Sequence, residues 1–214
     1  MGCFAKGCLT LLIVGFLGLV ALVGGAWFLT SKAVSMFTAP APAEVALEMP
    51  SDAEYAAAES KLAQMREAAR SAQATTIAFT AADLNALIAR HSDFAAHKGK
   101  TRIDIADSIA TIELSVPLVS FPWRRVQSRW FNGSARLGFL YDDDGFTFDP
   151  QWIEANGHQL SGPILRSFAS SFSQSFTTGF RKGLEKNDGS AGFWGNVKSI
   201  TLEGDTLVVT TRAE

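Results

Sequence analysis

The side chains best suited to chemistry are few and scattered. Three histidines, His91, His97 and His158, stand at no zinc-ligand spacing with the two cysteines, Cys3 and Cys8, and no HExxH occurs. P-loop, GxGxxG and GxSxG patterns are absent as well. Asp142-Asp143-Asp144 lacks the alternate-position ligands and twelfth-position glutamate of an EF-hand, so it reads as a solvated hairpin tip. Asn132-Gly133-Ser134 satisfies the glycosylation sequon, although Asn-Gly also simply turns. Catalysis has no positive warrant in these residues. The expectation is a protein that is no enzyme and carries no metal or cofactor.

Two constellations suit binding instead. Trp123, Arg124, Arg125, Arg129 and Trp130 concentrate basic and aromatic groups within one short stretch. Arginine forks take phosphate bidentately and tryptophan favours the membrane interface, so lipid headgroups are one partner for this stretch. The plain alternative is a loop anchored on the core by its tryptophans, with its arginines solvated. Further on, Ile164, Phe168, Phe172, Phe176 and Phe180 recur every four residues among serines and threonines. At that spacing a helical stripe drifts by about 40° per step, which suits a helix wrapped along a twisted sheet. Such a helix belongs to a core, lines an apolar ligand cavity with Phe168, Phe172, Phe176 and Phe180, or lies flat on a membrane.

Composition narrows the setting. Apolar residues make up 47% and charged ones 19%, which excludes a disordered charged chain. The net charge of −2 gives no reason to expect a nucleic-acid partner. From Gly7 to Ser31 no residue is charged, and Leu9 to Leu29 is almost wholly apolar. As a helix that run is about 31 Å long, enough to cross a hydrocarbon core of about 30 Å. A cleaved signal peptide has a shorter apolar region, usually about 7 to 15 residues, so an uncleaved anchor is the reading preferred here. Lys6 on the short side and the acidic Glu44, Glu48 and Asp52 beyond place the N-terminus in the cytoplasm and the rest outside it. Met1-Gly2-Cys3 begins like a myristoylation signal, but Lys6 stands where Ser or Thr is wanted.

The elements that must position these residues follow from pattern. Residues 1–8 form a cytoplasmic tip, 9–29 the membrane span, and 30–50 a linker of alternating Pro and Ala. Ser51 to Glu54 is a capping box opening a helix over 51–73, whose few apolar residues make it either a narrow-striped helix on the domain or a stalk. Residues 75–214 read as an extracytoplasmic domain. Ile77 and Phe79 alternate with small residues; Thr80 then caps a helix bearing Leu84, Leu87 and Ile88, with Asp83 suited to the positive end of its dipole. Three hairpins follow from alternation and turn chemistry, at Asp107-Ser108, at Asp143-Asp144-Gly145 and at Glu203-Gly204-Asp205, with a further turn at Asn156-Gly157. Ser161-Gly162-Pro163 opens the Phe-striped helix, which Gly183 is placed to end. The fold class expected is α+β: an N-terminal transmembrane helix, then an antiparallel strand-rich domain with one long Phe-striped helix packed on the sheet.

The succession FTAADLNALI, SIATIELSVPL, RWFNGSARLGF, DDGFTF, ANGHQLSGPIL and SITLEGDTLVV resembles that of small bacterial envelope proteins of uncharacterised function, each a membrane anchor followed by one strand-rich domain. Its rhythm is also similar to tubular lipid-binding-like domains. The resemblance spans residues 76–211, and Asp83-Leu84-Asn85 and Phe131-Asn132-Gly133 are its most specific pieces. It implies a periplasmic, membrane-anchored domain and no particular functional residues. Two functions stand as expectations: the exported domain binds lipid or another apolar ligand, or it is a structural or protein-interaction module partnering another envelope protein.

Overall fold

A computed structural model describes residues 35–119, 124, 126–161, 163–185 and 193–213; at 160, 161, 163, 164, 166–168, 171, 172 and 185 it describes the backbone alone. Among the described residues no helix is long and apolar enough to cross a membrane. The span read at 9–29, with the tip before it and residues 30–34 after it, lies outside them.

The elements in order are α1 (Asp52–Arg70), β1 (Thr76–Thr80), α2 (Ala81–Arg90), a 3-10 turn (Ser92–Phe94), β2 (Thr101–Ala106), β3 (Ile109–Pro117), β4 (Trp130–Asp142), β5 (Gly145–Ala155), β6 (His158–Ser161), α3 (Pro163–Glu185), β7 (Val197–Glu203) and β8 (Thr206–Thr211). The strands form one antiparallel sheet, so the molecule is a strand-rich antiparallel sheet with a few helices. All the predicted hairpins form, at the predicted turns.

Long β4 is the spine. One of its edges pairs β5; the other pairs β3 along residues 130–137 and β7 at Leu140 and Tyr141. The β2–β3 and β7–β8 hairpins therefore share one edge, tip to tip. Ser108 N donates to Gly204 O at 2.7 Å across the tips, and Gly204 N donates to Ser108 Oγ at 3.0 Å.

Cross-strand partners share a face, and the register puts the apolar alternates on one side. Ile103, Ile112, Ala135 and Ile153 lie in one row across β2 to β5, and all are almost fully buried. Phe79, Leu207 and Leu202 make a second row across β1, β8 and β7. Helices cover this face: Ala58, Leu62 and Met65 of α1, Leu87 and Ile88 of α2, and Leu165 of α3 join the same core. Helix α1 thus lies on the domain and is no stalk. The opposite face carries Arg102, Glu113, Ser115, Asn132 and Arg136, as a one-sided antiparallel sheet should.

Helix side chains close two sheet edges, where unpaired backbone groups would otherwise invite another chain. Beside β2, Asn85 Nδ2 donates to Ile103 O at 2.7 Å and its Oδ1 accepts from Ile103 N at 2.9 Å, the pair of bonds a neighbouring strand would make. Beside β5, Thr177 Oγ1 accepts from Phe146 N at 2.8 Å and Ser173 Oγ accepts from Phe148 N at 3.1 Å. The hydroxyl-rich flank of α3 therefore has a function in the fold. Gly145 permits this approach, since a Cβ there would lie 2.2 Å from Thr177 Cγ2. The helix runs past Gly183 to Glu185 because Leu184 packs against the core.

Candidate functional site

The candidate site is the end of the sheet where β3 finishes, β4 begins and the β5–β6 turn sits, together with the chain that enters there. Residues 35–50 have little regular structure of their own, and their alternating prolines leave few N–H donors for any. They lie on the sheet as a strap. Ala39 and Trp130 exchange two backbone hydrogen bonds of 2.8 Å on the stretch of β4 edge that β5 does not reach. Arg129 Nη2 donates to Thr38 O at 2.6 Å, and its Nε donates to Thr38 Oγ1. Asn156 Nδ2 donates to Ser35 O at 3.2 Å. Phe37 is buried with its ring edge-on to His158, and Val45 is buried farther along.

The centre of the clasp is a cross-strand pair on the polar face, Ser115 and Asn132. Ser115 Oγ donates to Asn132 Oδ1 at 2.9 Å and accepts from Ala43 N at 3.1 Å. Asn132 Oδ1 also accepts from Ala43 N at 3.2 Å, while its Nδ2 donates to Ala41 O at 2.9 Å. The asparagine of the sequon is thus a strand residue holding the strap. Gly133 beside it faces Glu154 O at a distance where a Cβ would lie 2.0 Å away.

Beyond the clasp, residues 44–50 line a groove of about 680 Å³ together with residues of α2 and β2, and Glu44, Glu48, Glu54 and Arg102 are among its charged lining. Asp83 is near this wall. Burial alone would raise its pKa, but hydrogen bonds from Lys61 Nζ (2.5 Å) and from the Thr80 N–H and hydroxyl outweigh it and hold the carboxyl below its ordinary range.

The sequence-predicted residues fall in two places. Arg124 is exposed at the strap end of the sheet, Arg129 is bound to Thr38, and Trp130 is half-buried at the start of β4. Trp123 and Arg125 lie outside the described residues. On α3, Phe176 meets Phe146 and Phe148 edge-on at 4.9 and 5.4 Å, and Phe180 meets Phe146 and Trp194 edge-on, both at 5.0 Å. Burial beside these rings raises the Tyr141 phenol above its ordinary pKa. A cleft of about 260 Å³ opens past Phe180, where Arg212 Nη2 meets Asp143 Oδ1 at 2.6 Å and Arg181 Nη2 donates to Asp143 O at 2.9 Å. Phe168 and Phe172 are on the same helix, and their side chains lie outside the description.

The sequence reading gave Ser115 and Asn85 no role and took Asn132 as a sequon or a turn, so the strap clasp and the edge closure were missed. One signal was present: serine and asparagine are poor residues inside regular structure, and they persist there when a side-chain bond needs them. Among the described residues no three His, Cys, Asp or Glu side chains are grouped to hold a metal ion. The chain matches no family model, no curated protein and no solved structure.

Proposed function

We propose that the chain is a single-pass protein of the bacterial envelope, anchored by residues 9–29 with its N-terminus in the cytoplasm, and that its exported sheet domain is a structural and protein-interaction module held at the membrane. The observation that carries this reading is the strap. A domain on a free leash has no need to bind the chain that leads to its anchor. Here that chain is bound from Ser35 onward through backbone pairing and the Ser115–Asn132 clasp. The arrangement converts a flexible linker into a rigid mount.

The apolar-ligand function expected from the Phe stripe has less support. Phe176 and Phe180 present their rings to other rings at close-packing separations, as a core does. Two measurements test the proposal. A reporter active only outside the cytoplasm, fused after Glu214, is expected to be active, and a cytoplasm-dependent one silent; the reverse overturns both the orientation and the envelope location. Native mass spectrometry of the full chain released from detergent is expected to show the bare protein mass. A stoichiometric apolar molecule retained on the domain overturns the module in favour of a ligand carrier.

A further inference from the structure

We infer that the strap end of the sheet is a membrane-docking surface, held in contact with the phospholipid headgroups by Met36, Val119 and Arg124. This rests on the anchor proposed above and adds to it a defined orientation of the domain. Between Leu29, the last residue of the apolar run, and Ser35, bound to the domain at the start of the described residues, there are six Cα–Cα steps. Fully extended they reach about 20 Å. The headgroup layer takes up roughly 5 to 7 Å of that reach, so Ser35 lies no more than about 15 Å above it. Had the strap been free, the reach to Ser51 would have been about 70 Å and the domain's orientation arbitrary.

The surface brought down by this short tether has the composition of an interface. Three large apolar side chains are exposed among the described residues, Met36, Met49 and Val119. Two of them, Met36 at 36% and Val119 at 61% exposure, lie at the strap end. Met36 immediately precedes the buried Phe37, and Val119 follows Leu118, whose N–H is bonded to Arg129 O beside the Ala39–Trp130 pair. Arg124, exposed in the same connection between β3 and β4, supplies a cation for lipid phosphate. The acidic turn Asp142 to Asp144 is at the far end of β4, about 40 Å away along a strand of this length. Two exposed apolar side chains and one cation bind a bilayer weakly by themselves. A leash this short supplies a high effective concentration, so weak contacts are enough.

Depth-dependent quenching in the full chain tests the inference. With Cys3 and Cys8 replaced by Ser, single cysteines at Met36→Cys, Val119→Cys and Asp144→Cys are labelled with a polarity-sensitive fluorophore, and each protein is reconstituted into vesicles of phosphatidylcholine and phosphatidylglycerol carrying headgroup-level spin-labelled lipid. The labels at 36 and 119 are expected to be quenched at least about threefold more than the label at 144, which sits tens of ångströms higher. Equal quenching at all three positions, weak or strong, overturns the docking surface while the anchor reading stands. Flotation of the vesicles separates the two ideas: a chain that fails to float with the lipid overturns the anchor and the docking surface together.

Discussion

Asn132 has two side-chain heteroatoms and uses both on groups from distant parts of the chain. Removing it leaves the Ser115 hydroxyl, the Ala43 N–H and the Ala41 carbonyl short of a partner. Only Ser115 of the three is buried, where an unmade bond costs about 1–3 kcal/mol, while the bonds to exposed Ala41 and Ala43 add less. Asn132→Ala is therefore expected to destabilise by about 1–2 kcal/mol in urea unfolding. Limited proteolysis should then cut within 40–48 before the sheet opens, a cleavage absent in the wild type. The neighbouring Gly133 is equally specified, because β5 backbone occupies the space a side chain would take. The motif Phe131-Asn132-Gly133 thus reads as a buried ring, a clasp and a close approach.

Asp83 offers a pH test at the same scale. Its folded pKa is held below the unfolded value of about 3.9, so between those two values the unfolded state binds more protons. The stabilisation is complete above about pH 5 and is lost as pH falls through the depressed folded value. Asp83→Asn keeps the shape but weakens the bonds that the carboxylate accepts from the Thr80 N–H and hydroxyl and from Lys61. It is expected to cost about 1–2 kcal/mol at pH 7, and the gap to the wild type should close as pH drops below about 4. A constant gap across that range would show that charge is not what Asp83 contributes.

At the scale of elements, α3 and α2 each do two jobs, covering the apolar face and closing an edge. Phe176 stands for the first. It is half-buried between Phe146 and Phe148, so Phe176→Ala should cost about 3 kcal/mol, the lower end for removing a large aromatic, read as a lower urea midpoint with an unchanged slope. Full stability in that variant would return the stripe to the ligand-cavity reading. The four-residue Phe spacing made this helix legible from sequence, as alternation made the strands and Asp-Gly chemistry the turns. The edge closures were not legible. Ser173 and Thr177 look like filler until β5 is seen to lack a strand along residues 146–148.

For the whole molecule, the strap makes residues 35–50 part of the fold, through the buried Phe37, Ala39 and Val45. Burying a Phe or Val side chain contributes about 1.5–3 kcal/mol each. A fragment beginning at Ser51 should therefore be less stable than one beginning at Ser35 by about 4 kcal/mol, measured by urea denaturation of both. Equal stability would mean that the strap rests on the sheet without contributing to it, and would remove the rigid mount on which the proposed function depends.

The sequence by itself determined the elements, their caps and turns, and which alternate residues face the core. Those are properties of neighbours within a few positions, and local periodicity writes them directly. The Ser51–Glu54 box and the Thr80 cap formed as read, and so did the alternation of buried and exposed residues along the strands; that Asp83 closes a second box with Thr80 came from the structure. Only the tertiary structure decided that a Pro/Ala linker is a strap, that β3 and β7 share one edge of β4, and that Asn132 is a clasp. The bonds concerned join residues 72 to 121 positions apart. Contacts at that separation depend on where whole strands come to rest, and a polar side chain signals that it needs a partner without specifying which one.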